Sequence, residues 1–150
     1  GGTLPLSAVL TTDAVYEAFY DDDAARGFLH SHSYTGNALA CRAALAVLDI
    51  FRDDDVIAAN AATAARWQAL AATLAAHPRV AQHRQRGMIF AFDVASGRPD
   101  FARWFHAEAL ARELLLRPIG NTVYFMPPYV LTDAEFELLV ARVGDILDRV

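Results

Sequence analysis

The chain has 150 residues, 55% of them hydrophobic, and a mean hydropathy of +0.20, so it carries enough apolar side chains for a substantial core. Its net charge of −5 and pI near 5.4 provide no basic surface for nucleic acid or anionic membrane, and no apolar run approaches the ~20 residues of a membrane span. We therefore expect neither nucleic acid nor a membrane among its partners.

The first predicted elements are a strand and a short helix. Leu6–Thr11 is apolar enough for a short buried strand, and Thr12 or Asp13 can cap the helix that follows. A polar break over residues 21–27 separates them from the next part of the chain. The lone strand, together with a beginning at Gly1 instead of methionine, predicts that the sequence is part of a longer protein.

Two helices are predicted next. Asn37 is a suitable N-cap for an apolar helix over residues 38–52. The run RDDD at 52–55 interrupts this helix, and Asp54 or Asp55 can cap a second helix that runs to about His77 and ends at Pro78. We therefore interpret this aspartate run as a solvated junction between two helices.

Strands and helices alternate after Pro78, which predicts a compact α+β unit. The predicted strands cover residues 80–86, 87–94, 115–117 and 122–126. The second of these is apolar on both faces and is therefore expected in the interior of its sheet. Phe101–Leu114 is a predicted helix, and Thr132 with Glu135 forms a capping box that opens an amphipathic helix to Val150.

The stretch HSHSYTGN, His30 to Asn37, concentrates hydroxyls and imidazoles directly ahead of the apolar helix. His30 and His32 could be metal ligands, but no third ligand is apparent, and we predict no metal site. Hydroxyls and backbone amides just before a helix N-terminus suit an anion such as phosphate. By itself, the stretch is more typical of a polar surface loop whose hydroxyls only cap the helix.

Arg117 and Tyr124 stand in apolar surroundings near the end of the chain. Arg117 either reaches out from the edge of its predicted strand or is held for bidentate binding of a carboxylate, and Pro118 favours an extended backbone before it. Tyr124 supplies a hydroxyl close to the rigid turn at residues 127–128, where aromatic residues more often belong to a core. Neither residue defines a site alone.

Three stretches together resemble the C-terminal part of class III pyridoxal-phosphate (PLP) aminotransferases: GGTLPLSAVLTT, FLHSHSYTGNALACRAALAVLDIF and LLRPIGNTVYFMPPYVLT. The resemblance covers essentially the whole chain. The first two stretches occur with variation throughout that family, whereas the third is particular to its biotin-synthesis branch.

The resemblance implies an α/β fold, namely the C-terminal portion of a fold type I PLP-dependent transferase. Residues 1–78 would form the end of the large PLP-binding domain, and residues 79–150 the small α+β domain. A cytoplasmic homodimer is implied, with pyridoxal 5'-phosphate bound at the subunit interface. The implied substrates are S-adenosylmethionine as amino donor and 8-amino-7-oxononanoate as acceptor, giving 7,8-diaminononanoate.

The same resemblance assigns roles to five residues. Ser33, usually threonine in the family, would bind the cofactor phosphate of the other subunit. His32 would lie beside the cofactor and Ser31 at the edge of the substrate. Arg117 would hold the carboxylate of 8-amino-7-oxononanoate, and Tyr124 would line the same pocket.

All 13 cationic residues are arginine, so the chain contains no lysine. In the family, a lysine four residues before the glycine pair binds PLP covalently, which places it upstream of Gly1. We therefore expect no catalytic residue within the chain, and no transamination by the chain alone. Two alternatives stay open: another class III aminotransferase acting on an ω-amino acid or diamine, and a truncated chain that only binds or dimerises. The single Cys41 is expected to be a small buried side chain in a reducing compartment.

Overall fold

Residues 2–150 are described by the computed structural model, and Gly1, the first glycine of the quoted motif, lies outside them. The helices and strands of the described residues are, in chain order, α1 (Asp13–Glu17), a 3-10 helix (Ala24–Arg26), α2 (Ala38–Asp53), α3 (Val56–Leu70), α4 (Ala72–Ala75), β1 (Val80–Arg86), β2 (Ile89–Val94), α5 (Phe101–Leu110), β3 (Thr122–Phe125) and α6 (Asp133–Leu147). No helix among these residues combines the length and apolarity that a bilayer crossing requires.

The chain divides into two units, the first reaching Val56 and the second comprising Ile57–Val150. This division falls at the first residue of α3, whereas the resemblance places a domain boundary after residue 78. The two divisions describe different things, because one separates compact units of this chain and the other assigns residues to the domains of a family. The assignment of residues 1–78 and 79–150 to those domains stays a prediction.

The predicted strand over Leu6–Thr11 is wrong, since these residues are irregular and lie in no sheet. A strand needs a neighbour to accept and donate its backbone hydrogen bonds, and this segment pairs with none among residues 2–150. Its side chains are also not buried within the unit, because Val9 is 94% and Leu10 95% exposed. Thr12 does occupy the N-cap position of α1 with an extended backbone, but without a capping hydrogen bond from its side chain.

Helix α2 begins where the sequence predicts. The Asn37 side chain accepts a hydrogen bond from the Ala40 amide at 3.1 Å and so satisfies one of the free N–H groups of the first turn. Cys41, in the same turn, is exposed and not buried as predicted. The reason is that α2 buries only Ala40 within the first unit.

The helix predicted to run to His77 is divided into two. Residue Ala71 interrupts the run between α3 and α4, and its own side chain is buried. At the other end, Asp55 precedes α3 with a left-handed backbone (φ 45°), a conformation that aspartate tolerates better than most residues.

The sheet of the second unit is antiparallel, with strand order β1-β2-β3, so β2 is interior as predicted. Its register pairs Phe90 with Phe125 and Ala91 with Tyr124. Side chains alternate along each strand, and Phe90, Phe92 and Val94 of β2 therefore turn to the buried face. The helices α4, α5 and α6 belong to the core that covers this face.

Aromatic rings form the centre of this core. The ring of Phe136 on α6 stacks on that of Trp67 on α3, with centroids 4.3 Å apart, and contacts Phe90 at 5.2 Å. The buried indole N–H of Trp67 donates to Asp133 Oδ1 at 2.7 Å. Hydrogen bonds from Arg66 and then Trp67 hold the pKa of the Asp133 carboxyl below its ordinary value.

Helix α5 ends earlier than the predicted Leu114. The Leu114 amide donates to the Ala109 carbonyl and the Glu113 amide to the Leu110 carbonyl, which is the hydrogen-bond pattern of a Schellman motif. Glu113 takes the left-handed backbone (φ 59°) that this motif requires and that glycine usually supplies. The sequence pattern missed this end because it contains no glycine.

The strand predicted over Leu115–Arg117 is also wrong. These residues are irregular, and only Ile119 beyond them forms an isolated bridge, to Thr122. Pro118 has no N–H to donate, which helps to prevent a longer ladder here. The capping box of α6 is confirmed, because Thr132 and Glu135 exchange side-chain and backbone hydrogen bonds, although the helix ends at Leu147 and not at Val150.

Candidate functional site

The loop ahead of α2 is a compact turn at the start of a 16-residue helix. The Thr35 amide donates to the His32 carbonyl at 3.0 Å, and the His32 amide donates to Thr35 Oγ1 at 3.3 Å. Gly36 follows with φ 71°, a backbone conformation that favours glycine. The loop therefore presents its polar side chains next to the positive end of a helix dipole.

Ser31, His32 and Ser33 are all exposed on this loop. Within residues 2–150, neither serine hydroxyl has a hydrogen-bond partner, whereas Thr35 and Asn37 use their side chains inside the loop. The hydroxyls of Ser31 and Ser33 are therefore not consumed by capping. Free hydroxyl donors at a helix N-terminus fit a phosphate group.

A cavity of about 760 Å³ adjoins the loop within the first unit. It is lined by two stretches of the chain, Pro5–Ser7 and a group of loop residues consisting of His32 and Tyr34–Asn37. Ser33 is not among the lining residues. Within this unit, the structure thus brings the segment after the glycine pair next to His32, two regions that the sequence analysis treated separately.

Arg117 is exposed in the second unit, and its guanidinium has no hydrogen bond or ion pair with any residue from 2 to 150. Most other arginines differ in this respect. Arg84, for example, lies 3.2 Å from a carboxylate oxygen of Asp93, and Arg112 lies 2.7 Å from one of Glu108. A free guanidinium keeps its planar set of donors available for an external carboxylate.

The backbone on both sides of Arg117 is held in place. The preceding Leu116 is 8% exposed, and its carbonyl lies 2.7 Å from Nδ1 of His106 on α5. On the other side, Ile119 and Thr122 exchange two backbone hydrogen bonds of 3.0 and 2.9 Å. Nothing in the sequence pattern pointed to His106, because a contact between residues ten apart depends on where the chain turns.

Tyr124 lies on β3, on the face of the sheet opposite the core, and is half-buried. It is paired with Ala91 of β2, one of the smaller side chains of that face. The bridge between Ile119 and Thr122 closes a turn. Arg117 lies two residues before Ile119 and Tyr124 lies two residues after Thr122, so they stand on opposite sides of this turn. Both predicted acceptor-site residues therefore flank one turn of the second unit.

A polar cluster on the same sheet face joins all three strands. Asp93 of β2 accepts hydrogen bonds from Thr122 Oγ1 at 2.7 Å and from Arg84 at 3.2 Å. These two bonds, that of Thr122 first, hold the pKa of the Asp93 carboxyl below its ordinary value. Asp93 is therefore a charged residue that links the three strands, on the sheet face that also carries Tyr124. No sequence motif indicated it.

The described residues contain no group of three or more His, Cys, Asp and Glu side chains arranged to hold a metal ion. His30 is placed against an aromatic ring instead, with its imidazole 5.8 Å from the centroid of Phe28. Ser31–Ser33 belong to the first unit and Arg117 and Tyr124 to the second.

Comparison with known proteins gives a consistent result. The sequence profile of the class-III aminotransferase family matches residues 1–147. A curated relative from Helicobacter pylori, named adenosylmethionine-8-amino-7-oxononanoate aminotransferase, is 43% identical over 99% of the chain. A protein of the same name from Synechococcus elongatus is 38% identical over 100% of it. The chain spans about a third of the length of these relatives, 36% in both cases.

A solved structure is similar over the same extent. The crystal structure of adenosylmethionine-8-amino-7-oxononanoate aminotransferase from Methanocaldococcus jannaschii superposes with a TM-score of 0.87 at 30% sequence identity. The match covers 99% of this chain and 36% of that one. Both units described above thus lie within a segment of known architecture.

Proposed function

Because the chain belongs to the class-III aminotransferase family, we propose that it is part of an enzyme of biotin synthesis. The whole protein would transfer the amino group of S-adenosylmethionine to 8-amino-7-oxononanoate and release 7,8-diaminononanoate. The observation that carries this proposal is the 43% identity, over nearly the whole chain, to a relative whose name states that donor and acceptor.

The cofactor of this proposal is pyridoxal 5'-phosphate. When bound, its aldehyde and pyridine ring supply the chemistry that takes up an amino group from one substrate and passes it to the next. In the proposal, Ser33 donates its hydroxyl hydrogen to a phosphate oxygen, and His32 lies beside the cofactor. The Ser33 hydroxyl, which has no partner within residues 2–150 and precedes the N-cap of α2 by four residues, supports this role, because a hydroxyl donor in a loop ahead of a helix suits a phosphate.

Substrate binding is proposed for three residues. Arg117 would donate two N–H groups to the carboxylate of 8-amino-7-oxononanoate, and Tyr124 would line the same pocket. Ser31 would lie at the edge of the substrate next to the cofactor loop. Support comes from the free guanidinium of Arg117 and from the shared turn that places Tyr124 on its opposite limb.

A homodimer with the cofactor at the subunit interface completes the proposal. The first unit exposes large apolar side chains to a degree that is unusual on a free protein surface, including Val9, Leu10 and Leu29. Such side chains are suited to burial against further protein. We place the dimer in the cytoplasm, a reducing compartment with which the single free cysteine is compatible.

The catalytic amine is not one of these 150 residues, since none of them is lysine. The residues present would bind and orient the cofactor and the acceptor, and the residue that binds the cofactor covalently would be supplied by the rest of the protein. This division agrees with a chain that spans about a third of its relatives.

The experiment that tests the proposal uses the intact protein loaded with PLP. 8-Amino-7-oxononanoate is offered with S-adenosylmethionine, and in parallel with ω-amino acids and diamines as donors, and 7,8-diaminononanoate is measured by mass spectrometry. We expect product with S-adenosylmethionine. Product only with an ω-amino acid or diamine would assign the protein to another activity of the family, and no transamination with any donor would favour a non-catalytic role.

A further inference from the structure

A hydrogen bond joins helix α5 to the segment that carries Arg117. Nδ1 of the half-buried His106 lies 2.7 Å from the carbonyl oxygen of Leu116. A carbonyl can only accept, so Nδ1 must carry the hydrogen, which it does both in the protonated imidazole and in one neutral tautomer. The bond therefore does not depend on the charge of His106.

This hydrogen bond fixes backbone that has no sheet partner. Residues 114–118 are irregular, and the ladder that would otherwise hold them is absent. The Leu116 side chain is buried in the core of the second unit, while the next residue, Arg117, is exposed. At the residue directly before Arg117, the backbone is therefore held by one buried side chain and by one hydrogen bond from His106.

On the C-terminal side of Arg117, the backbone is constrained by the proline ring and by a local turn. Pro118 restricts its own φ and favours an extended backbone at Arg117. The tight turn that follows has Gly120 at φ 57° and is closed by the Ile119–Thr122 hydrogen bonds. Within the described part of the chain, one side-chain hydrogen bond reaches residues 114–118 from another element. It is the bond from His106 to the Leu116 carbonyl.

We propose that His106 is a positioning residue that holds the Arg117 guanidinium in the geometry needed to bind the acceptor's carboxylate. This inference rests on the proposed role of Arg117. A bidentate contact needs both donors aligned with both oxygens, and small displacements of the backbone are therefore costly in affinity. His106 itself would not touch the substrate.

The test uses the intact holoenzyme and a matched pair of substitutions. His106→Asn places an amide donor near the position of Nδ1, whereas His106→Leu has nearly the same shape as asparagine without a donor. We expect the apparent Kd and KM for 8-amino-7-oxononanoate to rise about three- to tenfold in His106→Leu and to stay within about twofold of the parent in His106→Asn. The rate at saturating acceptor should change little in either variant.

A double-mutant cycle separates positioning from general stability. If His106 acts through Arg117, His106→Leu should have no further effect on acceptor affinity in an Arg117→Ala background. An unchanged acceptor affinity in His106→Leu, or an equal loss with and without Arg117, would overturn the inference. His106→Phe, which keeps a ring but lacks the donor, gives the same reading if the leucine variant does not fold.

The Arg117→Ala variant also separates this inference from the proposal on which it rests. If Arg117→Ala weakens acceptor binding and His106→Leu does not, only the role of His106 is wrong. If Arg117→Ala itself leaves acceptor binding unchanged, the proposed carboxylate site is wrong, and with it the basis for a positioning residue.

Discussion

Arg117 differs from most arginines of the chain in having an unpaired guanidinium on a fixed backbone. An arginine that served only to solvate the surface could be replaced with little effect. If Arg117 binds the acceptor's carboxylate, Arg117→Ala should weaken the binding of 8-amino-7-oxononanoate to the intact enzyme by about 2–4 kcal/mol, or roughly 30- to 900-fold. Single-turnover kinetics of the acceptor half-reaction measure this loss.

Two further variants control for charge and position. Arg117→Lys should recover only a small part of the affinity, because an ammonium group cannot reproduce the planar pair of donors. Arg103→Ala removes another arginine of the second unit that has no carboxylate partner within residues 2–150, and it should leave the acceptor half-reaction unchanged. Near-parental kinetics in both Arg117 variants would remove this residue from the site.

The proposed role of Ser33 predicts an effect on the binding of the cofactor and not on the binding of the substrate. A hydrogen bond from its hydroxyl to a phosphate is charge-assisted and worth about 1.5–3 kcal/mol, so Ser33→Ala should weaken PLP binding to the intact protein about ten- to a hundredfold. Ser33→Thr keeps the hydroxyl and should bind PLP nearly as well as the parent. The measurement is a spectrophotometric titration of the apo-protein with PLP.

The neighbouring hydroxyl serves as the matched control for this loop. Ser31→Ala removes an equally exposed serine two residues away and should leave PLP affinity close to that of the parent. If Ser33→Ala binds PLP as tightly as the parent, the loop only caps α2 and the assignment of a phosphate site is wrong.

The N-terminus of α6 is stabilised by reciprocal hydrogen bonds. Thr132 Oγ1 accepts from the Glu135 amide at 3.2 Å, and the Thr132 amide donates to the Glu135 carboxylate at 2.7 Å. Thr132→Ala should lower the free energy of unfolding by about 0.5–2 kcal/mol, while Thr132→Ser should preserve it. Urea unfolding followed by tryptophan fluorescence measures this, because Trp67 and Trp104 both belong to the second unit.

The same capping box predicts how the difference in free energy of unfolding between the parent and Thr132→Ala depends on pH. The backbone amide and then the hydroxyl of Thr132 hold the pKa of Glu135 below its ordinary value of 4.5. A lowered pKa contributes stability that is present above the unfolded value and is lost as the pH falls through the folded value. Alanine at position 132 keeps the backbone amide and lacks only the hydroxyl, so the stability difference between Thr132→Ala and the parent that comes from the hydroxyl should narrow on acidification below about pH 4.5. A gap that widens on acidification would contradict this account.

The elements that the sequence predicted correctly are those with local signals. Asn37 and Thr132 mark helix starts through side-chain bonds to amides three residues away, and the continuous apolar run of β2 marks the interior strand of the sheet. The two wrong strands, at residues 6–11 and 115–117, have apolar composition but no neighbouring strand to pair with among residues 2–150. A partner is a property of the tertiary structure, which a local pattern does not contain.

The candidate site shows the same limit. The types of Ser33 and Arg117 are compatible with phosphate and carboxylate binding, but each stretch by itself is more typical of a capping loop and of a surface arginine. The absence of partners around both side chains became visible only in the structure. His106 and Asp93 were missed altogether, because each acts through a residue that is distant in sequence.

The two units of the chain differ in how they bury apolar side chains. Trp67, Phe105 and Phe136 of the second unit are completely buried, whereas Val9, Leu10 and Leu29 of the first unit are at least 89% exposed. Burying large apolar side chains is the main favourable contribution to folding, and the second unit has already gained it. In the first unit, Ala40 is the one buried apolar residue among residues 2–56, next to a helix start that the Asn37 cap holds.

Because the 150-residue chain contains no lysine, we expect that on its own it cannot be labelled covalently with PLP through a side chain. Reduction with borohydride traps PLP on primary amines, and a chain without lysine offers only its α-amino group. When this group is blocked by acetylation, incubation with PLP and borohydride should add no cofactor mass to the chain. The intact protein, treated in the same way, should gain one cofactor per subunit, at a lysine outside these residues. Peptide mapping by mass spectrometry locates the label. Cofactor on any peptide from residues 2–150 would contradict the prediction. An intact protein without any label would count against the proposed aminotransferase itself.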